Sequence, residues 1–281
     1  MASVAFHLTY RWARVLRRRF ASRLALEAAR PVADGPVMEN VRLASYCGQR
    51  DFPELVASWI SLRRFAGRPA ESWLLSDGTL GREEVAIIRR LEPKTRVLEF
   101  EELDARLLTP RLLHYAAAKP LGKKLCLLRQ LSEGSRWMFS DSDLLYFPGA
   151  AGLGQPAWWA EGHCRFLLDQ VASLDPQMDT TGTPNDQPVN SGFLAASGPL
   201  DWSEALLRLE VRTGPYSFFT EQTVCHLAFH RSGGTGLDPG RHIMRNEDQW
   251  LSRDLYARRE LVFRHYISPF RQKMWLQVGR W

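Results

Sequence analysis

Large apolar side chains recur every fourth residue from Leu8 through Trp12, Leu16 and Phe20 to Leu24, which predicts an amphipathic helix with one slowly drifting apolar ridge. Residues 31–37, PVADGPV, read as a linker of Pro, Gly and Asp. Then the period changes. Short apolar runs ending in small or polar residues, VRLASYCG (41–48), SWLLSDG (72–78), TRVLEF (95–100) and RWMFSDSDLLYF (136–147), predict strands. Between them lie helical patterns: 52–66, with Leu55, Trp59, Leu62 and Phe65 at spacings of four and three, then REEVAIIRRL, then 119–132. Strands alternating with helices predict an α/β fold with a mostly parallel sheet, whose ligands bind at the carboxyl ends of the strands. SYCG, SDG and SDSD would all face that crevice. The second half is less regular. PAWWAEG and CRFLLDQ read as extended, PVNSGFLAAS (188–197) as a buried strand, and SEALLRLEVRT and FFTEQTVCHLAFHR as helices, the latter with Glu221 and Gln222 in its first turn.

Composition narrows the class. A chain of 281 residues with 45% hydrophobic and 24% charged residues is long enough for one large α/β domain or two small ones, and for a sizeable core. Cys47, Cys126, Cys164 and Cys225 lie far apart with no C-x-x-C pair, so they predict reduced thiols and a cytoplasmic protein rather than a disulfide framework or a zinc site. The net charge of +6 has one source: residues 1–30 hold seven arginines against Glu27, and the remainder carries 30 basic and 30 acidic residues. The body is therefore no basic nucleic-acid binder. The N-terminal helix either lies on an anionic membrane, at the inner face in this reading, or docks on the body with its arginines solvated. An Arg-rich start also suits an organelle transit peptide. No 18-residue apolar run exists to span a membrane.

The chemistry concentrates at Asp141 and Asp143. Carboxylates are costly to place beside a core strand unless something compensates their charge. Two aspartates at a strand end can share one hard divalent cation and leave coordination positions for a pyrophosphate. Other candidates carry less. His226 and His230 are four apart on a helix, but HLAFH lacks the glutamate of H-E-x-x-H and reads as core-edge histidines. SGGTG (232–236) lacks the lysine of a P-loop and reads as a loop.

The strand ending in D-x-D, then VNSGFLAAS, a helix opening with EQ, and a C-terminal RHYISPFRQKMW resemble the nucleotide-sugar glycosyltransferases of the glycosyltransferase-A fold. The closest likeness is to the family 8 enzymes and their uncharacterised bacterial relatives, over about residues 41–275. The resemblance implies a single Rossmann-like domain with a mixed central sheet over 38–281, preceded by the basic helix and linker of 1–37. It implies Mn²⁺ (or Mg²⁺) held by Asp141, Asp143 and His265 on the donor diphosphate, with Lys273 and Trp275 beside it. The family pattern there is roughly H-x-x-G-x-x-K-P-W; here Ser268 stands for the glycine, Met274 for the proline, and two extra residues separate His265 from Lys273. Lys124, on the helix before the D-x-D strand, matches the family's basic donor contact. Ser142 joins the donor contacts, and Asn190, Ser191 and Gly192 match the N-[SA]-G that lines the sugar pocket. Glu221 and Gln222 match the D-Q pair near the transferred sugar. Tyr46 and Asp77, at the ends of the first two strands, are placed to hold the nucleoside.

The expected function is metal-dependent transfer of a sugar from a nucleotide-diphospho-sugar, a UDP-sugar in this reading, to an acceptor the sequence does not identify. The family implies retention; Asp186 and Glu221 are the bases available to an inverting enzyme. One alternative is a phosphatase of the haloacid dehalogenase type, whose nucleophile also lies on a D-x-D strand, although that pair normally sits near the N-terminus. Another is a transferase relative kept only as a sugar-nucleotide-binding module.

Overall fold

A computed structural model describes residues 4–30, 36–160 and 162–280. Residues 31–35 of the predicted linker lie outside the described residues. The first half runs α1 (Val4–Ala21), α2 (Leu24–Ala29), β1 (Val37–Cys47), α3 (Phe52–Phe65), β2 (Arg68–Ser76), α4 (Arg82–Leu91), β3 (Thr95–Leu98), α5 (Pro110–Ala118), α6 (Pro120–Leu131), β4 (Trp137–Ser140) and β5 (Leu144–Tyr146). The second half continues with β6 (Cys164–Leu168), β7 (Val189–Ala196), α7 (Ser203–Val211), α8 (Thr220–Arg231), β8 (Thr235–Gly236), β9 (His242–Ile243), β10 (Phe263–His265) and α9 (Gln272–Val278).

Seven strands form one sheet in the order β3-β2-β1-β4-β7-β6-β8. The first four are parallel, joined by helical crossovers as the alternating pattern requires. β7 runs antiparallel to both β4 and β6, so the sheet is mostly parallel, as the pattern predicts, and mixed through this one reversed strand. β6 therefore points the same way as β1, and its carboxyl end opens on the same edge. Helices cover both faces, and the strand side chains divide between them with period two. Trp137 and Phe139 join Leu112, Tyr115, Leu125 and Phe229 on one face. Met138 joins Leu55, Trp59, Leu74 and Ile88 on the other.

RWMFSDSDLLYF is not one strand. β4 is buried along its whole length, and a ladder enclosed on both faces has no place for two adjacent carboxylates. The chain leaves the sheet at Asp141 and re-enters a separate three-stranded sheet, β5-β10-β9. PAWWAEG is likewise not extended: Pro156–Trp159 forms a 3-10 helix, with proline in the first turn. α5 has no counterpart in the apolar periodicity, although Thr109 caps it by accepting from the Leu112 amide and Pro110 follows at the first helical position.

α1 rests on the body, but not by its whole ridge. Each four-residue step advances about 400° around a helix, a drift of about 40°, so five such positions sweep about 160° and cannot all face one surface. Leu16 and Phe20 pack with the buried Ala13 against Tyr266, Phe270, Met274 and Trp275. Leu8 and Trp12 point outward, 61% and 56% exposed.

Candidate active site

The carboxyl edge of the main sheet and the start of the small sheet meet at Asp141–Asp143. The Asp141 amide donates to the Gly192 carbonyl at 2.8 Å, tying the turn to β7. The Tyr266 amide donates to the Asp143 carbonyl at 2.8 Å, and antiparallel pairing sets His265 opposite Leu144. That pairing carries a histidine 122 residues away to the aspartates. The His265 Nε2 lies 3.0 Å from Asp143 Oδ1 and 3.8 Å from Asp141 Oδ2, and one ligand atom from each of the three residues lies within 4.8 Å of the others.

The donor set fits a divalent cation for a reason beyond proximity. His265 Nδ1 lies 3.1 Å from Asn190 Oδ1, an oxygen that can only accept, so Nδ1 carries the proton. With Nδ1 so held, Nε2 faces two carboxylates, the arrangement in which one nitrogen and two carboxylate oxygens could share a divalent cation. Asn190 is held in turn: its Oδ1 accepts from the Gly192 amide at 3.0 Å. β7 bulges here, the partners of β6 slipping from Phe166↔Leu194 to Leu167↔Asn190, which leaves residues 191–193 unpaired with β6. Gly192 is required at that bulge. A Cβ there would sit 2.2 Å from His265 Cε1.

Two fixed cations flank the pair. Lys124, 3% exposed, is no solvated helix lysine: its ammonium lies 3.1 Å from Asp141 Oδ1, 3.2 Å from Ser191 Oγ and 3.7 Å from Glu221 Oε1. Burial disfavours its charge, but Asp141 and Glu221 more than compensate and hold it protonated. Arg271 bonds Asp143 Oδ2 at 2.6 Å and Asp51 Oδ1 at 3.0 Å. Burial pushes the Asp143 carboxyl up, yet His265 and Arg271 together hold it at about 2. Asp141, by contrast, is raised, because burial and the neighbouring Asp143 outweigh Lys124 and His265.

Arg271 was not among the expected site residues, and two that were lie elsewhere. Lys273 does not reach the carboxylates. Its ammonium is buried on the Asp248 carbonyl and carboxylate and the Arg253 carbonyl, beside the Arg264–Asp248 pair. Trp275 packs on Phe20 of α1 with ring centroids 5.3 Å apart, 2% exposed. The signal for Arg271 lay in the motif: six residues after the histidine, with no insertion, the family's lysine position falls on it.

Glu221, 2% exposed, accepts from Ser191 Oγ at 2.9 Å and faces Lys124, so both oxygens are engaged and it is enclosed as a base. Burial raises its carboxyl, with Lys124 opposing. Gln222 Nε2 donates to Asp169 Oδ2 and the Ser173 carbonyl, both at 2.9 Å, and its Oε1 has no protein partner among the described residues. Asp169, at the carboxyl end of β6, also lies 3.5 Å from Asn190 Nδ2. It is a second residue missed in the sequence, although a strand ending in an acid on the same edge was the available signal. Asp186 stands apart from the triad, exposed on a cavity of about 500 Å³ shared with Asp169, His242 and Glu247. Tyr46, Asp77 and Ser142 come together on a separate cavity of about 560 Å³, with Arg50, Lys119 and Phe218. Asp77 is braced there by Thr79, whose amide donates to it at 2.8 Å.

No protein-family model and no curated protein sequence matches this chain. Solved structures do. The galactosyltransferase LgtC, in complex with donor and acceptor sugar analogs, superposes with a TM-score of 0.56 at 12% identity, over 85% of this chain and 94% of its own. An active-site mutant of LgtC gives the same score, over 95% of that chain. The bifunctional glycosyltransferase WbbM superposes with a TM-score of 0.54 at 12% identity, over 89% of this chain and half of that one. At this identity the likeness shows the fold, and the chain has the glycosyltransferase-A fold.

Proposed function

We propose that this protein is a metal-dependent glycosyltransferase that takes its sugar from a nucleotide-diphospho-sugar, a UDP-sugar in the first instance. The observation that carries the reading is the Asp141–Asp143–His265 cluster on the carboxyl edge of a glycosyltransferase-A sheet, next to the cavity lined by Tyr46 and Asp77. In this reading the nucleoside lies against Tyr46 and Asp77, and Ser142 faces the diphosphate. Asp141, Asp143 and His265 would hold Mn²⁺ or Mg²⁺, which supplies Lewis acidity to the departing diphosphate. Arg271, and not Lys273, adds a fixed positive charge to the leaving group, the preorganised electrostatic role that dominates such chemistry. Lys124 neutralises Asp141 and Glu221 and so keeps the pocket open to an anion. Asp169, Asn190 and Gln222 position the sugar by hydrogen bonds.

Retention suits the engagement of the carboxylates around the triad: Glu221 bonds Ser191 and faces Lys124, Asp169 accepts from Gln222 and Asn190, and Asp186 is exposed on the cavity of about 500 Å³. Four buried thiols without a disulfide suit a reducing compartment. The test is nucleotide release from a panel of UDP- and GDP-sugars with and without Mn²⁺, in the wild type and in Asp143→Asn. Release that requires Mn²⁺ and disappears in the variant supports the reading. Release that survives in the variant at saturating Mn²⁺ defeats the metal assignment, and phosphatase activity without any nucleotide-sugar turnover defeats the donor assignment.

A further inference from the structure

α1 has two distinct faces. The inner one is occupied: Ala13, Leu16 and Phe20 pack on the body, and the Arg17 guanidinium bonds Glu54 at 2.6 and 2.9 Å. On the outer one, Val15, Leu8 and Trp12 fall within about 60° of one another around the helix axis. They are 48%, 61% and 56% exposed, a contiguous apolar stripe facing outward. Arg19 lies inside the same stripe and Arg11 and Arg18 along its edge, all exposed and without an ion pair among the described residues. The charge of this segment is also the net charge of the molecule, since the residues beyond 30 sum to zero.

We propose that the outer face of α1 docks on an anionic lipid bilayer. Leu8, Trp12 and Val15 would enter the boundary between headgroups and acyl chains, and the arginines would engage lipid phosphates, a planar donor matched to that acceptor. A nucleic acid would use the arginines and leave the apolar stripe wet. The bilayer uses both. The docked inner face presents the helix already folded, so binding carries no cost for ordering it. No helix among the described residues is long and apolar enough to cross a membrane, so the contact is peripheral.

The experiment is flotation of the full chain with phosphatidylcholine vesicles and with vesicles containing 30% phosphatidylglycerol, at 50 and 500 mM salt. Binding should favour the anionic vesicles and fall at high salt, because the Debye length shrinks from about 14 Å at 50 mM to about 4 Å at 500 mM. The Leu8→Ser/Trp12→Ser variant should bind about tenfold or more weakly at low salt, with an unchanged Tm because both side chains are outside the core. Arg11→Gln/Arg19→Gln should bind more weakly and with less salt dependence. Equal binding to both vesicle types, no binding at 50 mM salt, or undiminished binding by the Leu8/Trp12 variant would overturn the proposal, and an acidic protein would then be the occupant to seek.

Discussion

The inner face of α1 ties the N-terminal segment to the candidate site, and Arg17→Ala measures that tie. The substitution removes both bonds to Glu54 and a third, 2.7 Å, to the Arg50 carbonyl. The Glu54 side chain is 3% exposed, whereas that of Arg17 is 34% exposed. Stranding a fully enclosed carboxylate costs about 3–5 kcal/mol. Water can enter where Arg17 stood, so the loss here is about 1–2 kcal/mol. For a chain of this length that is a fall in Tm of about 2–3 °C. The effect should also reach activity. Asp51, three residues before Glu54, holds Arg271, and Arg271 holds Asp143. If the start of α3 shifts, the cation on Asp143 shifts with it, and nucleotide release should fall together with stability. Thermal unfolding of Arg17→Ala, Glu54→Gln and the double variant isolates the pair, because a neutral amide no longer needs the guanidinium. The double variant should be more stable than the sum of the singles predicts by about 1 kcal/mol. Additivity within about 0.3 kcal/mol, or an unchanged Tm in Arg17→Ala, would refute the coupling.

Three further outcomes follow from the geometry. Arg271→Ala should lower kcat/KM for the donor about 30–150-fold, the loss of about 2–3 kcal/mol of leaving-group stabilisation, while Lys273→Met lowers Tm and leaves donor KM unchanged; the reverse result would restore Lys273 to the diphosphate. Gly192→Ala drives a Cβ into the His265 ring, so the Mn²⁺ concentration for half-maximal activity should rise about 10–100-fold, and an unchanged titration would remove His265 from the metal. Burial holds the imidazoles of His226 and His242 at about 4, so between pH 4 and about 6.5 the folded chain binds fewer protons than the unfolded one. Stability from these groups is complete above about 6.5 and is lost as pH falls toward 4, about 3 kcal/mol for each; His226→Leu should flatten that slope by about half, as denaturant midpoints at pH 4.5, 5.5 and 7 would show.

Local pattern determined a good deal of this protein. The alternation of apolar runs with three- and four-residue spacings specified the strands and helices of the first half, because side-chain period and backbone geometry are coupled within a single element. The polar endings of those strands marked the carboxyl edge, and the apolar flanks of Asp141 and Asp143 marked them as more than loop carboxylates. Thr109-Pro110 and the six-residue step from His265 to Arg271 were equally present in the sequence, as a capping signal and a spacing. The tertiary structure decided what depends on contacts between distant segments. It alone broke the Asp-x-Asp run between two sheets, because burial of β4 on both faces is a property of its neighbours. It alone set Lys124 on Asp141 and Glu221, and sent Lys273 to Asp248. A charged side chain goes to whichever opposite charge the fold has already enclosed, and one-dimensional spacing does not say which that is. The N-terminal helix shows the same division most simply: its apolar ridge follows from residue spacing, but which part of that drifting ridge is covered depends on where Trp275 lies, more than 250 residues along the chain.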